Sequence, residues 1–263
     1  MKKEARIFFT AVLFLTRLPV PRTTDHSGEY LLQARRYFPA AGWIVGGIAA
    51  LFYSLRFISI DTGILASMIA GVLVTGALHE DGFADVCDGF GGGWTKEKIL
   101  LIMKDSRIGA FGAIGLIAVL STKFLLLKTI AIAGPGRGGR DGNPIFFVTA
   151  LIVAHSVSRL MPVLVMQTGD YAGDPDTSKS GAMVSRRLRA RDLFVGAVLG
   201  LAPLFLLPPH FLLLIVPPLL VTWLMYRYFR RWIGGYTGDC LGAIQQVAEI
   251  AVYLGIVVIC RYL

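Results

Sequence analysis

The chain has 263 residues, 55% of them hydrophobic and only 16% charged, with a mean hydropathy of +0.64. A soluble domain carries about 25% charged residues, so the composition excludes one and predicts an all-α, polytopic integral membrane protein with short loops. The formal charge of +9 would suggest nucleic acid in a soluble protein. Here the excess Lys and Arg read as loop charges that set topology, and no nucleic-acid partner is expected.

The N-terminus, Met1 to Arg6, precedes an apolar run without a small-residue cleavage site, so no removable signal peptide is expected. Residues 7 to 20 are apolar apart from Arg17 and end at Pro19 and Pro21. That is short for a span and predicts an interfacial or half-inserted helix. Residues 37 to 55, 62 to 78, 108 to 133 and 145 to 166 each read as one span, the second ending at an acidic motif. Between the last two lies the glycine-rich loop from Gly134 to Pro144. A polar loop covers 167 to 192. From 193 to 226 there is no Asp, Glu, Lys or Arg. One helix of that length would be about 51 Å, against a bilayer core of about 30 Å. Pro208-Pro209-His210 offers a turn, which predicts a hairpin of two short spans. A basic loop and a last span, 241 to 260, follow. The count is about six to seven transmembrane helices plus the N-terminal interfacial helix, in a single membrane-embedded catalytic domain over 1–263. His26 and His210 read as loop residues. Cys87, Cys240 and Cys260 lack paired or zinc-type spacing and read as reduced thiols.

With this topology, segments 21–36, 80–107, 167–192 and 227–240 share one side. They hold fifteen of the 26 Lys and Arg, against four on the other side. The positive-inside bias places them, and the acidic motif, in the cytoplasm.

The most informative stretch is His79-Glu80-Asp81-Gly-Phe-Ala-Asp85-Val-Cys-Asp88-Gly89, followed by Lys104-Asp105-Ser106-Arg107-Ile-Gly109. On a helix Asp81, Asp85 and Asp88 fall at i, i+4 and i+7, within roughly 60° of one another. Like charges so placed repel. Mg²⁺ prefers carboxylate oxygens and would remove that repulsion. The alternative is a solvated helix end. His79-Glu80 suggests a zincin, but no second His follows at the right spacing. Gly89-Phe-Gly-Gly-Gly93 could offer backbone N–H groups to a phosphate. Lys104 and Arg107 read either as interface anchors or as a phosphate clamp.

Lys123, Arg159 and Glu249 lie inside apolar runs, where charge is costly and either paired or functional. Arg159 is one turn from His155. A structural network pairing Glu249 with Arg159 or Lys123 stands beside a substrate role. Asp239, in Gly235-Tyr-Thr237-Gly-Asp239, is a candidate extra metal or hydroxyl ligand, or a cap of the last helix.

Taken together the chain resembles the cobalamin synthase family, the adenosylcobinamide-GDP ribazoletransferases. Phe14-Leu-Thr-Arg-Leu-Pro-Val-Pro21, Gly76 through Gly89, Lys104 through Gly109, and Gly235 through Gly242 with Glu249 carry the resemblance, in order along nearly the whole chain. It implies an Mg²⁺-dependent enzyme of the bacterial inner membrane, its active site facing the cytoplasm. That enzyme joins adenosylcobinamide-GDP to α-ribazole, or its 5′-phosphate, and releases GMP. The product is adenosylcobalamin or its 5′-phosphate. The expected metal ligands are Asp81, Asp85, Asp88 and Glu80. Asp81, Asp105 and Arg107 are the expected catalytic residues. His79, Lys104, Ser106, Lys123, Arg159, Thr237, Asp239 and Glu249 are the expected substrate contacts. Membrane lipid is the remaining partner, and self-association as a homo-oligomer is left open. One stretch departs: the family tends to have Tyr-Ala-Arg where this chain reads Tyr171-Ala-Gly173, so Lys179 or Arg186 would have to supply the cation.

Two other classes compete. A CDP-alcohol phosphotransferase also spaces acids along a membrane helix, but Asp88-Gly89 is not followed by that family's Ala-Arg. A divalent-cation transporter would place carboxylates at mid-bilayer, often in repeated halves, and no repeat is visible.

Overall fold

The computed structural model describes residues 3–24, 27–134, 143–173 and 186–262. His26, Lys179 and the interior of the glycine-rich loop, 135–142, lie outside the described residues. The described chain is helical, without a strand; one isolated parallel bridge joins Tyr171 to Tyr236.

Helix α1, Lys3–Leu15, has thirteen residues, about 20 Å and too short to cross a bilayer. It buries Ile7, Ala11 and Leu15 on the short α2, Gly28–Ala34, and on α3, Phe38–Phe52. The N-terminal helix, expected from the sequence at the interface, therefore packs on protein. α2, a 3₁₀ turn and α3 follow one another within a single 30-residue apolar stretch, Gly28–Phe57.

Helix α4, Ile60–Thr75, starts at Ser59, whose hydroxyl accepts from Thr62 N–H, and ends at Gly76 with φ 65°. Ala77 follows with φ 59°, a left-handed conformation uncommon outside glycine. The Ala77 N–H bonds back to Val72, closing a Schellman-type end. These two residues turn the chain by 87° into α5, Leu78–Gly92. The acidic motif is thus swung sideways rather than simply continuing the span.

Helix α6, Lys96–Met103, folds back on α5. The glycine run is not a loop: Gly89 through Gly92 form the last turn of α5. A Cβ on Gly89 would meet Met103 Cγ at 2.7 Å, and one on Gly93 would meet Ile99 Cγ1 at 2.6 Å. These glycines admit α6, and their N–H groups at Gly89 to Gly92 belong to a helix, so the phosphate-loop reading is dropped.

Then come α7, Ala110–Ala133, and α8, Pro144–Thr168, which Asn143 caps by accepting from the N–H groups of Ile145 and Phe146. α8 is the central element. Gly42 and Gly46 of α3 lie directly against its backbone near His155 and Ile152, the close approach that small residues permit between membrane helices.

The chain breaks at Leu207-Pro208 as expected, but not into two spans: of the two arms only Pro209–Ile233 is long and apolar enough to cross a membrane. α9, Ala190–Leu201, is only twelve residues, and two 3₁₀ segments flank Leu207-Pro208. α10, Val216–Ile233, continues through Arg227, Arg230 and Arg231. The basic stretch expected as loop is helix, and its cations sit at the negative end of the dipole. Gly234, at φ 83°, ends it. α11, Gly238–Tyr262, lies buried against α5, α7, α8 and α10. Among the described residues five stretches are long and apolar enough to span, or six with α4 and α5 as one broken span. Leu65, Ile69 and Leu73 of α4, and Ile114, Ile117 and Leu125 of α7, are exposed. Polar side chains line the interior, as a lipid environment requires.

Candidate active site

The face read from the sequence forms on α5. Asp81 is exposed, Asp85 half-buried and Asp88 buried. A fourth carboxylate joins them from the far end of the chain. Gly82 lies against the backbone of Asp239, and Gly242 against His79 and Gly82. These glycines let α5 and α11 touch backbone to backbone, so Asp239 arrives beside Asp81 and Asp85. The charges of Asp239, Asp81 and Asp88 all act on Asp85. Thr237, not Asp239, caps α11: its hydroxyl accepts from Cys240 N–H at 3.3 Å.

Among the described residues no Lys or Arg pairs with Asp81, Asp85, Asp88 or Asp239. Four hard oxygen donors without a counter-cation suit Mg²⁺ in kind. They do not close into a cage: among the described residues no three acidic, His or Cys side chains surround one point. Asp88 also has other work. Its two oxygens accept from the N–H groups of Gly109, 2.7 Å, and Gly112, 2.8 Å. It therefore caps the N-terminus of α7 from another helix. A Cβ at either glycine would strike that carboxylate, which explains the spacing Gly109-Ala-Phe-Gly112.

The loop from Lys104 to Ile108 thus ends next to the buried end of the acidic face. Lys104, Ser106 and Arg107 are exposed there. Arg107 donates to Asp105 through Nη2 at 2.7 Å and Nε at 3.1 Å. Hydrogen bonds from the Arg107 side chain and backbone hold the Asp105 carboxyl down at about 2. Such a carboxylate is a weak base.

Glu80 departs from the expected ligand set. One residue on from His79 and about 100° from Asp81, it points into the bundle and is buried, accepting from Gln246 Nε2 at 3.0 Å. It lines a small internal cavity that Asp81 does not share. Lys123 and Glu249 sit in that same interior, ion-paired at 3.1 Å. Glu249 also accepts from Gln245 at 2.8 Å and Tyr253 at 3.3 Å, and faces His155 at 3.6 Å. Lys123 donates to Gln246 at 3.1 Å. This is the structural network weighed from the sequence, except that Glu249 takes Lys123 and His155 as partners while Arg159 hydrogen-bonds through Nη1 to His155 Nδ1 and donates to the His155 carbonyl, each at 3.0 Å. A buried pair of this kind is costly to break. His79 and Arg159 differ from the others: both line the small cavity and also a larger one, of about 290 Å³, whose wall carries Asp81 and Asp239.

This arrangement of carboxylates, exposed cations and an adjoining cavity lies within a family match that covers residues 7–257, to the model described as cobalamin-5-phosphate synthase. The chain belongs to the cobalamin-5-phosphate synthase family. Relatives span nearly its whole length. The adenosylcobinamide-GDP ribazoletransferase of Leptospira interrogans is 42% identical over 98% of this chain and 97% of its own. That of Shewanella woodyi is 41% identical over 97% and 96%, and that of Ralstonia pickettii 40% over 97% and 96%. No solved structure matches.

In this family member, sequence reasoning passed over Gln245, Gln246 and Ser158, which tie Glu80, Lys123 and Glu249 together. Two adjacent glutamines within an apolar run were the available signal. Of the cations weighed against Gly173, Arg186 is exposed and its carbonyl accepts from Arg35.

Proposed function

We propose that this chain is an Mg²⁺-dependent transferase that joins adenosylcobinamide-GDP to α-ribazole or its 5′-phosphate and releases GMP. Four carboxylates without counter-charge, two of which, Asp81 and Asp239, line a cavity, carry the reading, and the relatives along nearly the whole chain name the reaction. A ribose hydroxyl of the acceptor forms a bond to the phosphorus on the cobinamide side of the pyrophosphate. The bond to the GMP oxygen breaks, and GMP departs with the electron pair.

Asp81, Asp85 and Asp239 would hold the metal, with the lone pairs of Asp88 left over from its capping bonds. When bound, Mg²⁺ supplies neutralisation of charge on the pyrophosphate oxygens. Asp81 is exposed at the cavity and takes the hydroxyl proton. Asp105 is less suited, because Arg107 holds it low. Lys104 and Arg107, beside the Asp88 end of the face, steady the leaving phosphate. Ser106 and Thr237 offer hydroxyls at either end. Lys123 and Glu249 act from the interior by holding α7 and α11 together.

The chain sits in the bacterial inner membrane with this site in the cytoplasm, which the Lys and Arg bias supports. The test is GMP release by purified protein in liposomes given both substrates, with Mg²⁺ or with EDTA. Release that needs both substrates and the metal is expected. No release from folded protein with added lipid overturns the assignment.

A further inference from the structure

A groove of about 620 Å³ lies apart from the acidic face and shares no wall residue with the cavity beside Asp81. Its walls come from α1, α2, the 3₁₀ turn that follows and the segment entering α9; six of the lining side chains are basic and three acidic. The acids are already engaged. Glu4 and Asp192 bind the buried Arg36, and Glu29 faces Lys3 at 4.0 Å. Arg186, Arg187, Arg189 and Arg191 are exposed and form no ion pair among the described residues. Their backbone is fixed. Leu188 between them is buried, its N–H donates to Gln167 of α8 at 2.9 Å, and its carbonyl accepts from the same amide at 3.2 Å. The Arg186 carbonyl accepts from the buried Arg35. Charges that only set topology need neither a common groove nor a fixed backbone; these have both.

An apolar stripe starts at the same cations. Arg191, Phe194 and Val198 of α9 fall at i, i+3 and i+7, within roughly 60° on one face, and Phe194 and Val198 are 68% and 47% exposed. The twelve residues of α9 measure about 18 Å, close to the hydrocarbon depth of one leaflet, about 15 Å. A soluble phosphate compound would use the arginines and leave the stripe bare; a phospholipid uses both. We propose that the groove binds the headgroup of an anionic phospholipid, its phosphate held by the guanidinium groups of Arg187, Arg189 and Arg191 and an acyl chain lying along Phe194 and Val198. A zwitterionic headgroup would bring its ammonium against these arginines and is disfavoured. Segments 21–36 and 167–192, which the Lys and Arg bias assigns to one side, supply most of the walls, so the lipid belongs to the leaflet on that side.

The experiment titrates the full chain in detergent with phosphatidylglycerol or with phosphatidylcholine of the same chain length, and reads the dissociation constant of the first bound lipid by native mass spectrometry. Wild type should bind phosphatidylglycerol about tenfold more tightly than phosphatidylcholine. Arg187→Gln, Arg189→Gln and Arg191→Gln combined should reduce that preference to about twofold or less. Arg227→Gln, Arg230→Gln and Arg231→Gln combined remove the same charge from α10, outside the groove, and should leave the preference within about twofold of wild type. Phe194→Ala should weaken phosphatidylglycerol about threefold. Glycerol 1-phosphate, which carries the phosphate without the chains, should compete only at about a hundredfold higher concentration. No preference in wild type, or an equal loss in the two triple variants, overturns the proposal, because diffuse charge then accounts for the attraction. Competition by glycerol 1-phosphate at the lipid's own concentration also overturns it, in favour of a soluble anion. If the groove triple does not purify folded, Arg189→Gln alone should weaken phosphatidylglycerol about threefold or more, and unchanged binding overturns the site.

Discussion

A Cβ placed on Gly82 would lie 3.0 Å from the Cα of Asp239 and 3.1 Å from its carbonyl oxygen. Residues 157 positions apart in the chain are thus held at backbone contact, and this contact brings the fourth carboxylate to the acidic face. Gly82→Val must push α5 from α11. Overpacking of this kind costs about 1–3 kcal/mol, spread here between stability and site geometry. The expected result is protein that still purifies folded, with the Mg²⁺ concentration for half-maximal GMP release raised about tenfold. An unchanged Mg²⁺ dependence would detach Asp239 from the metal.

Among the described residues Asp81 and Asp85 have no structural partner that their loss would orphan. Asp81→Asn and Asp85→Asn should each lower GMP release by about a hundredfold or more while leaving thermal unfolding nearly unchanged. Near-normal turnover in both, in folded protein, would mean that the metal site is misassigned.

Asp88 should behave differently from its neighbours. Asp88→Ala leaves the N–H groups of Gly109 and Gly112 without acceptors, which costs about 1–3 kcal/mol. Gly112→Ala, driving a methyl into the same carboxylate, should be comparable. Thermal unfolding in detergent reads both. A drop in activity without a drop in stability would give Asp88 a catalytic rather than a capping task.

The ion pair of Lys123 and Glu249 is tested by a cycle. Lys123→Met leaves Glu249 buried with a charge less well balanced and should destabilise by about 3–5 kcal/mol. Adding Glu249→Gln should restore much of that loss. If the double variant is as unstable as the sum of the singles, the two residues are not coupled.

The pH dependence separates the two candidate bases. Arg107 depresses Asp105 to about 2. Its ionised form is therefore complete above the ordinary carboxyl value of about 3.9 and is lost only as pH falls through the depressed one. Between about pH 5 and 9 Asp105 contributes no step to the rate profile, and Asp105→Asn should change kcat less than about threefold. A step that vanishes with Asp105→Asn would restore Asp105 as the base.

The sequence by itself determined the helical class, most spans and the face of Asp81, Asp85 and Asp88. Each depends on local rules: apolar length against bilayer thickness, and a fixed angle per residue along a helix. It also made legible the break at Pro208-Pro209, because proline cannot continue a helix. It could not show that α4 and α5 meet at 87°, since the turn uses a left-handed alanine that no propensity signals. Nor could it sort the charges. Glu80 and Asp81 are neighbours in sequence, yet one faces Gln246 in the interior and the other the cavity. Lys123, His155, Gln245 and Gln246 acquire their roles only when α7, α8 and α11 close around Glu249. Partners far apart in the chain are chosen by packing, and packing is a property of the assembled helices rather than of any one of them.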